Sequence, residues 1–213
     1  MNDTRFPRGL YGVTPDWDDT DRLLSAIAEA HAGGMRVLQW RRKHGPAAAR
    51  RSQATEVRAL CLRLGLPLIV NDDWRLAAEL DADGVHLGKD DGSLAQARQA
   101  LGPGKLIGCS CYNQPELARR HLGDRPDYIA FGALYPSAVK PDAVRASLDD
   151  IRAGRRLADA CAPRPAVVAI GGIGPDNAGP VIQAGADSIA VISALFEAPD
   201  IRKAARRCSA LFS

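Results

Sequence analysis

The chain has neither a strong excess of one charge nor a long run of apolar residues. Its 28 Lys and Arg residues are nearly balanced by 25 Asp and Glu residues, which leaves a net charge of +3. This balance, without a long basic run, argues against a nucleic-acid partner but is compatible with a locally basic pocket. No apolar stretch approaches the ~20 residues that a membrane-spanning helix needs, so we expect no membrane partner.

Cysteines are few, and their spacing is not that of a metal site. The five lie at positions 61, 109, 111, 161 and 208, which is an odd count without a CxxC pair. This pattern favours reduced thiols. Residues 1–8 are polar and lack the apolar core of a signal peptide. We therefore expect a cytoplasmic protein, and the sequence is compatible with a homo-oligomer.

The chain is long enough to bury a core, and its segments alternate regularly. Its 213 residues are 46% hydrophobic and 25% charged, as in ordinary globular proteins. Strand-like and helical segments alternate roughly eight times, in a repeat of about 20–30 residues, without a low-complexity linker. This alternation favours an α/β fold of the closed (β/α)₈ TIM-barrel type, a single domain over residues 1–213, over an open doubly wound sheet.

The expected elements follow from apolar periodicity and from Gly and Pro signals. The predicted strands span residues 9–13, 36–41, 66–71, 82–87, 106–110, 127–132, 166–170 and 187–192. The predicted helices span residues 21–32, 46–64, 74–80, 93–101, 114–122, 148–160, 176–184 and 200–211, and residues 133–147 form a longer loop. In a TIM barrel the chemistry lies at the carboxyl ends of the strands, so the residues there are the candidates.

Acidic residues follow two neighbouring predicted strands at corresponding points. Asp72 ends the third strand and Asp91 follows the fourth. Consecutive parallel strands joined by a helical crossover end on the same face, so the two side chains should meet. Two carboxylates repel unless a cation lies between them, and oxygen ligands shared with a phosphate suit Mg²⁺. The alternative is that each aspartate is the N-cap of the next helix; the matched positions favour a metal site.

The second predicted strand ends in a polar, basic segment. Alternation puts Gln39, Arg41 and Lys43 on one side of the strand, with Trp40 and Arg42 on the other. The first side offers an amide and two cations to the barrel mouth. We include all five residues among the expected substrate contacts, although a solvated basic strand end is the alternative.

Further polar groups follow the third, fifth and sixth predicted strands. They are Asn71, Ser110 and Lys140, the last of which is preceded by Tyr135-Pro136-Ser137. Three cations, an amide, a hydroxyl and a metal on one rim predict a binding site for a diphosphate.

A second anion site is predicted after the last two strands. Gly171-Gly172 follows the seventh strand and Ile192-Ser193 the eighth, where such barrels recurrently bind phosphate. Glycines let a phosphate approach the backbone, and a short helix from Ser193 would direct N–H groups at it. The alternative is that the glycines only form a tight turn. Two phosphorylated ligands on one rim indicate a transfer reaction with diphosphate as the leaving group.

Two further residue types are weaker candidates. His86 lies within the fourth predicted strand, where it either points into the barrel or is a core histidine with a satisfied partner. Cys109 and Cys111 flank Ser110 on the opposite face of the strand and are expected to be packing residues.

Taken together, these motifs resemble the thiamine phosphate synthase family over nearly the whole chain. The resemblance rests on several motifs in order, which is more specific than any one of them. They are Gln39-x-Arg41-x-Lys43, Asn71-Asp72, Gly84-Val85-His86-Leu87-Gly88 with Asp91, Gly108-x-Ser110, Pro136-Ser137-x-x-Lys140, Ile170-Gly171-Gly172-Ile173 and Val191-Ile192-Ser193-Ala194.

The resemblance implies a role for each of these positions. The residues that would hold a hydroxymethylpyrimidine diphosphate are Gln39, Arg41, Lys43, Asn71, Ser110 and Lys140, with Asp72 and Asp91 holding Mg²⁺. The residues that would hold a thiazole phosphate are Ser137, Ala138, Val139, Gly172, Ile192 and Ser193. Arg41, Lys43, Ser110 and Lys140 would carry the catalysis, by stabilising diphosphate as it leaves a pyrimidine-methylene cation that the thiazole nitrogen then attacks.

The chain departs from the family pattern at two positions. Many relatives have Thr where this chain has Ser137 and Val139, so a hydroxyl is lost at Val139. Many also have His where Tyr112 stands. The related thiazole tautomerases use a histidine at that place and need no diphosphate site, so Tyr112 argues against that alternative. A non-catalytic barrel that binds phosphorylated ligands would not need the Asp72 and Asp91 pair.

Overall fold

Eight parallel strands close into a barrel in chain order, and β8 pairs with β1. This computed structural model describes residues 4–136 and 144–213. The strands are β1 (Gly9–Val13), β2 (Val37–Trp40), β3 (Leu68–Asn71), β4 (Gly84–Leu87), β5 (Leu106–Tyr112), β6 (Tyr128–Phe131), β7 (Ala166–Ile170) and β8 (Ser188–Val191). The predicted single-domain TIM barrel is confirmed.

Helices alternate with the strands and cover the outside of the barrel. They are α1 (Thr20–Ala32), α2 (Ala47–Leu64), α3 (Trp74–Glu79), α4 (Leu94–Leu101), α5 (Pro115–His121), α6 (Leu148–Asp159), α7 (Ala178–Gln183), α8 (Ser193–Phe196) and α9 (Ile201–Ala210). Their ends follow local signals: Gly65 stops α2 in the left-handed conformation, and Ser147 with Asp150 forms a capping box on α6. No helix of these described residues is long and apolar enough to cross a membrane.

Alternation along each strand divides the core into two layers. Outward-facing residues such as Leu10 and Leu38 pack against the helices. Inward-facing residues fill the barrel itself, and these are Phe6, Tyr11, Val13, Val37, Ile69, Tyr128, Ala130, Ala166, Val168 and Ala190. The strands are therefore buried on both faces, as expected for a parallel sheet.

An aspartate immediately precedes β4, β6 and β8 at the amino-terminal end of the barrel. The three carboxylates accept hydrogen bonds from the backbone N–H groups of Leu68, Ile107 and Val167, at 2.9, 2.8 and 2.8 Å. Each also pairs with an arginine: Asp83 with Arg58 (2.8 Å), Asp127 with Arg98 (2.6 Å) and Asp187 with Arg164 (3.0 Å). Because they lie opposite the carboxyl ends of the strands, these ion pairs stabilise the scaffold and leave the other end for the site.

Candidate active site

A cavity of about 500 Å³ opens at the carboxyl ends of the strands. Eight of the predicted site residues line it: Gln39, Arg41, Lys43, Asn71, Asp72, Asp91, Ser110 and Ile192. Two larger concavities, of about 830 and 570 Å³, contain none of these residues. They are bordered by groups at the amino-terminal end of the barrel, such as Arg36 and Asp127. The cavity at the strand ends is therefore the candidate active site.

The carboxyl groups of Asp72 and Asp91 meet within hydrogen-bonding distance of each other. Asp72 has a left-handed backbone, with φ of 66°, and its N–H donates to the carbonyl of His86 at 2.8 Å. Asp91 Oδ2 accepts from the N–H of Gly88 at 2.7 Å. Burial, followed by the contact with Asp72, raises the pKa of Asp91 above its usual value. The two loops after β3 and β4 thus hold a pair of carboxyl groups that repel when both are ionised.

Neither carboxylate is a helix cap. Asp73, not Asp72, is the N-cap of α3, and its Oδ1 accepts from the N–H groups of Arg75 and Leu76. Ser93, not Asp91, is the N-cap of α4. The capping alternative for Asp72 and Asp91 is therefore wrong.

This pair of carboxyl groups fits Mg²⁺. Their mutual repulsion is what a divalent cation between them would relieve. Within residues 4–136 and 144–213, no group of three or more His, Cys, Asp or Glu side chains is arranged to enclose a metal. Mg²⁺ commonly binds through one or two carboxylates and completes its shell with water and substrate phosphate.

Two cations line the same cavity as the carboxyl pair. The Lys43 ammonium lies 3.1 Å from Asp72 Oδ2. The backbone of Arg41 is held by the buried Thr14, whose hydroxyl accepts from the Arg41 N–H at 2.8 Å and donates to the Arg41 carbonyl at 3.1 Å. No carboxylate of the described residues pairs with the Arg41 side chain, which lines the cavity. Arg41 can therefore bind an anionic ligand without first breaking an ion pair.

Trp40 and Arg42 do not reach the cavity. Trp40 is buried, and its indole N–H donates to Gln53 of α2 at 3.1 Å. Arg42 donates to Asp18 at 2.5 Å on the outside of the barrel mouth. Alternation along β2 turns both side chains away from Gln39 and Arg41, so we remove these two from the proposed substrate contacts.

A row of hydrogen bonds runs along the cavity floor. Gln39 Nε2 donates to the Tyr11 hydroxyl at 2.7 Å, which lies 2.9 Å from the Tyr128 hydroxyl. The Tyr128 hydroxyl lies 3.0 Å from His86 Nδ1, and His86 Nε2 lies 2.9 Å from Ser110 Oγ. The two alternatives for His86 are therefore both correct: its side chain faces the barrel interior, and both of its ring nitrogens have hydrogen-bond partners. Cys109 and Cys111 are buried on the opposite face, which confirms that they are packing residues.

The end of the site near β7 and β8 is formed by backbone turns. Gly171 and Ile192 line the cavity, whereas Gly172 and Ser193 do not. Gly171 and Gly172 have φ of 102° and 64°, and a Cβ on Gly172 would lie 2.4 Å from the carbonyl oxygen of Pro136. Both positions thus require glycine. Ser193 begins the short helix α8, as predicted, whereas Ser137, Ala138, Val139 and Lys140 lie outside the described residues.

Four polar residues that line the cavity were not predicted from the sequence: Tyr11, Lys89, Asp90 and Tyr128. Tyr11 alternates with Val13 on the inner face of β1, and this pattern could have revealed it. Tyr128 extends across β5 because Gly108 leaves room; a Cβ on Gly108 would lie 1.9 Å from the Tyr128 ring. Lys89 follows the Gly88 turn beside Asp91, and only the folded loop shows that it faces the ligand cavity.

The barrel and its site define a TIM-barrel enzyme in which cations and paired carboxyl groups line one cavity. A family model described as thiamine monophosphate synthase matches residues 10–195. The chain belongs to this family, and its activity is that of a thiamine-phosphate synthase, a transferase.

Proteins named thiamine-phosphate synthase are similar to this chain over nearly its full length. The chain is 58% identical to the thiamine-phosphate synthase of Bordetella avium, over 100% of this chain and 98% of that one. It is 50% identical to that of Methylococcus capsulatus, over 97% and 91%. The solved thiamine phosphate pyrophosphorylase from Pyrococcus furiosus superposes with a TM-score of 0.81 at 32% identity, over 96% and 95% of the two chains.

Proposed function

We propose that the chain condenses 4-amino-2-methyl-5-(diphosphooxymethyl)pyrimidine with the ethyl phosphate of a thiazole or carboxythiazole. The products would be thiamine phosphate and diphosphate, with CO₂ released in addition when the carboxythiazole is the substrate. The observation that carries this proposal is the contact between the Asp72 and Asp91 carboxyl groups in the same cavity as Arg41 and Lys43. A diphosphate with its metal requires this combination of charges, whereas an isomerisation or simple phosphate binding does not.

Asp72 and Asp91 would hold Mg²⁺ at the β3 and β4 end of the site. When bound, the ion supplies Lewis-acid stabilisation of the negative charge on the diphosphate. The protein's own contribution is the placement of the two carboxyl groups: the left-handed turn at Asp72 and the Gly88 N–H bond to Asp91 fix their positions.

Arg41, Lys43, Asn71 and Ser110 line the wall beside this pair and would bind the diphosphate oxygens. Gln39 lies deeper, with only 5% of its surface exposed, and would contact the pyrimidine end of the substrate. Lys140, by its place in the sequence, would add a third cation. Together these groups stabilise the charge that develops on the leaving group, which is where fixed cations and N–H or O–H donors contribute most.

We propose a dissociative route. The carbon–oxygen bond of the pyrimidine substrate breaks, diphosphate leaves with the electron pair, and the thiazole nitrogen donates its pair to the resulting methylene cation. This step needs positioning and leaving-group stabilisation more than a general base. The inner wall formed by Val13, Ala130, Val168 and Ala190 is apolar and would limit attack by water.

The second substrate would bind at the β7 and β8 end. Gly171 lets a phosphate approach the backbone, and Ile192 borders the same side of the cavity. Gly172, Ser193 and the segment of Ser137 to Val139 are kept as proposed contacts from the sequence. The thiazole ring would then lie between its phosphate and the pyrimidine carbon.

We also infer a cytoplasmic location. Five cysteines are free, and four of them are buried in the core, where no pair forms a disulfide. This use of cysteine is typical of a reducing compartment.

The proposal is tested by incubating the purified protein with both substrates and Mg²⁺ and measuring thiamine phosphate and diphosphate. Equal amounts of both products, formed only when both substrates and the metal are present, are expected. Binding without product would instead support a non-catalytic barrel. Isomerisation of the thiazole phosphate alone would support the tautomerase alternative.

A further inference from the structure

Five side chains form a continuous hydrogen-bonded row that joins two proposed substrate ligands, Gln39 and Ser110. The links are 2.7, 2.9, 3.0 and 2.9 Å long. The three middle members, Tyr11, Tyr128 and His86, are only 1, 0 and 9% exposed. Buried polar groups require partners, so the direction of one bond in this row sets the direction of the others.

The row has two self-consistent directions, because each phenol has one proton. In the first, the Gln39 amide N–H donates to Tyr11, as the structure has it, and Tyr11 donates to Tyr128. Tyr128 then donates to His86 Nδ1, and the Nε2–H of His86 donates to Ser110. In the second, the Gln39 amide is turned so that its oxygen accepts, and every bond reverses. Ser110 then donates to His86 Nε2.

The charge of the ligand distinguishes the two directions. In the first, Ser110 Oγ accepts from His86, and its single proton is free to be donated into the cavity. In the second, that proton is used by His86, and Ser110 presents a lone pair to the cavity. A diphosphate is bound by donors and repelled by lone pairs, so the first direction suits the ligand of the proposed function.

We propose that His86 is a positioning residue that carries its proton on Nε2 and thereby directs the Ser110 hydroxyl proton toward the diphosphate. The inference rests on the proposed function for the identity of the anion. Tyr128 sets the tautomer, because its hydroxyl donates to Nδ1. His86 acts through Ser110, whereas Ser110 itself contacts the substrate.

The tautomer of His86 can be determined by NMR, without measuring enzymatic turnover. Two-bond ¹H–¹⁵N correlations of the His86 ring are recorded on the ¹⁵N-labelled protein, alone and with inorganic diphosphate and Mg²⁺; the signals are assigned by their loss in His86→Gln. The Nε2–H pattern is expected in the bound protein. The Nδ1–H pattern there overturns the proposal. A protein that binds diphosphate with the Nε2–H pattern but makes no thiamine phosphate would refute only the proposed function.

Two matched variants distinguish a role of His86 in positioning the Ser110 proton from a purely structural role of the buried row. Tyr128→Phe and Tyr11→Phe each remove one buried hydroxyl from the same row, but only the first removes the donor to His86 Nδ1. Tyr128→Phe is expected to reduce the Nε2–H population and to weaken Mg²⁺–diphosphate binding about tenfold, while Tyr11→Phe changes binding less than about threefold. Equal losses in both variants, with an unchanged His86 spectrum, would indicate a structural role and overturn the proposal.

The dependence on Ser110 is tested in a double-mutant cycle. If Tyr128 and His86 act through the Ser110 hydroxyl, Tyr128→Phe has no further effect on diphosphate affinity once Ser110→Ala is present. Additive losses would show that the two residues act independently and would contradict the inference. Melting temperatures of all variants establish that each is folded when its affinity is measured.

Discussion

The Lys43 ammonium lies 3.1 Å from the Asp72 carboxylate and joins the loop after β2 to the loop after β3. Both side chains are partly exposed, at 45 and 29%. An ion pair in that environment contributes little to the free energy of folding. Its value lies in placing a cation beside the carboxyl pair, where a diphosphate and its metal would bind.

The carboxyl pair is tested by Asp72→Ala and Asp91→Ala. Synthesis is expected to fall by roughly a hundredfold or more, because the metal that neutralises the leaving group is lost. The melting temperature without metal should fall only slightly, because the relief of like-charge repulsion offsets the lost Lys43 and Gly88 contacts and the strain of Ala at the left-handed position 72. Steady-state rates and thermal shifts with and without Mg²⁺ measure both effects.

Asp73→Asn is the matched control for this pair. It changes the neighbouring carboxylate, but Asn is as good an N-cap for α3, so stability and activity should stay near those of the unaltered protein. Normal Mg²⁺-dependent turnover in Asp72→Ala or Asp91→Ala would contradict the metal role.

Arg41→Ala tests the cation that has no carboxylate partner among the described residues. Synthesis is expected to fall on the order of a hundredfold, because a guanidinium that stabilises the developing diphosphate charge is removed. Arg42→Ala removes the adjacent arginine, whose side chain lies outside the cavity, and should change kcat/KM by only a few-fold at most. If both variants lose activity equally, net charge at the barrel mouth, rather than the position of Arg41, would be the cause.

Asp127→Ala tests the scaffold at the other end of the barrel. Asp127 is buried and pairs with both Arg98, at 2.6 Å, and Arg5, at 2.9 Å. Its removal leaves the arginines and the Ile107 N–H without their acceptor, and we expect a loss of about 3 kcal/mol in the free energy of unfolding. Urea denaturation measures this, and kcat of the folded fraction should be unchanged. An unaltered midpoint would show that the ion pairs do not hold the strand ends.

Thiol reactivity tests the burial of the cysteines. Burial raises the pKa of Cys61 to about 12 and that of Cys208 to about 11, so these thiols stay protonated well above neutral pH. A raised thiol pKa lowers the thiolate fraction, and thiolate is the reactive form. Alkylation of the native protein between pH 7 and 9, followed by peptide mass spectrometry, should modify the half-buried Cys161 first. Fast modification of Cys61 in the native protein would contradict the packing.

The strand and helix pattern was largely predictable because local signals agree with the barrel. β1 and β7 have the predicted bounds. Pro46 is the N-cap of α2 and Gly65 is its C-cap, as the Pro and Gly signals predicted. β5 continues beyond its predicted end, to Tyr112, because the register shifts between Ser110 and Tyr112 where β5 pairs with β6. A bulge of this kind depends on pairing with the neighbouring strand, so it cannot be predicted from the local sequence pattern of β5 alone.

The site was predictable where alternation along a strand decides it. Gln39, Arg41 and Lys43 face the cavity, and the same alternation explains why Trp40 and Arg42 do not. The buried row through Tyr11, Tyr128 and His86 joins residues far apart in the chain. Its members are recognisable as partners only once the barrel is closed.

The most direct test of the account is a crystal structure of the protein with diphosphate and Mn²⁺ in place of Mg²⁺, with the metal located by its anomalous scattering. The account predicts a metal peak between the carboxylates of Asp72 and Asp91, bridged to a diphosphate that also contacts Arg41 and Ser110. A metal bound elsewhere, or a diphosphate held only at the Gly171 and Ile192 end, would contradict it.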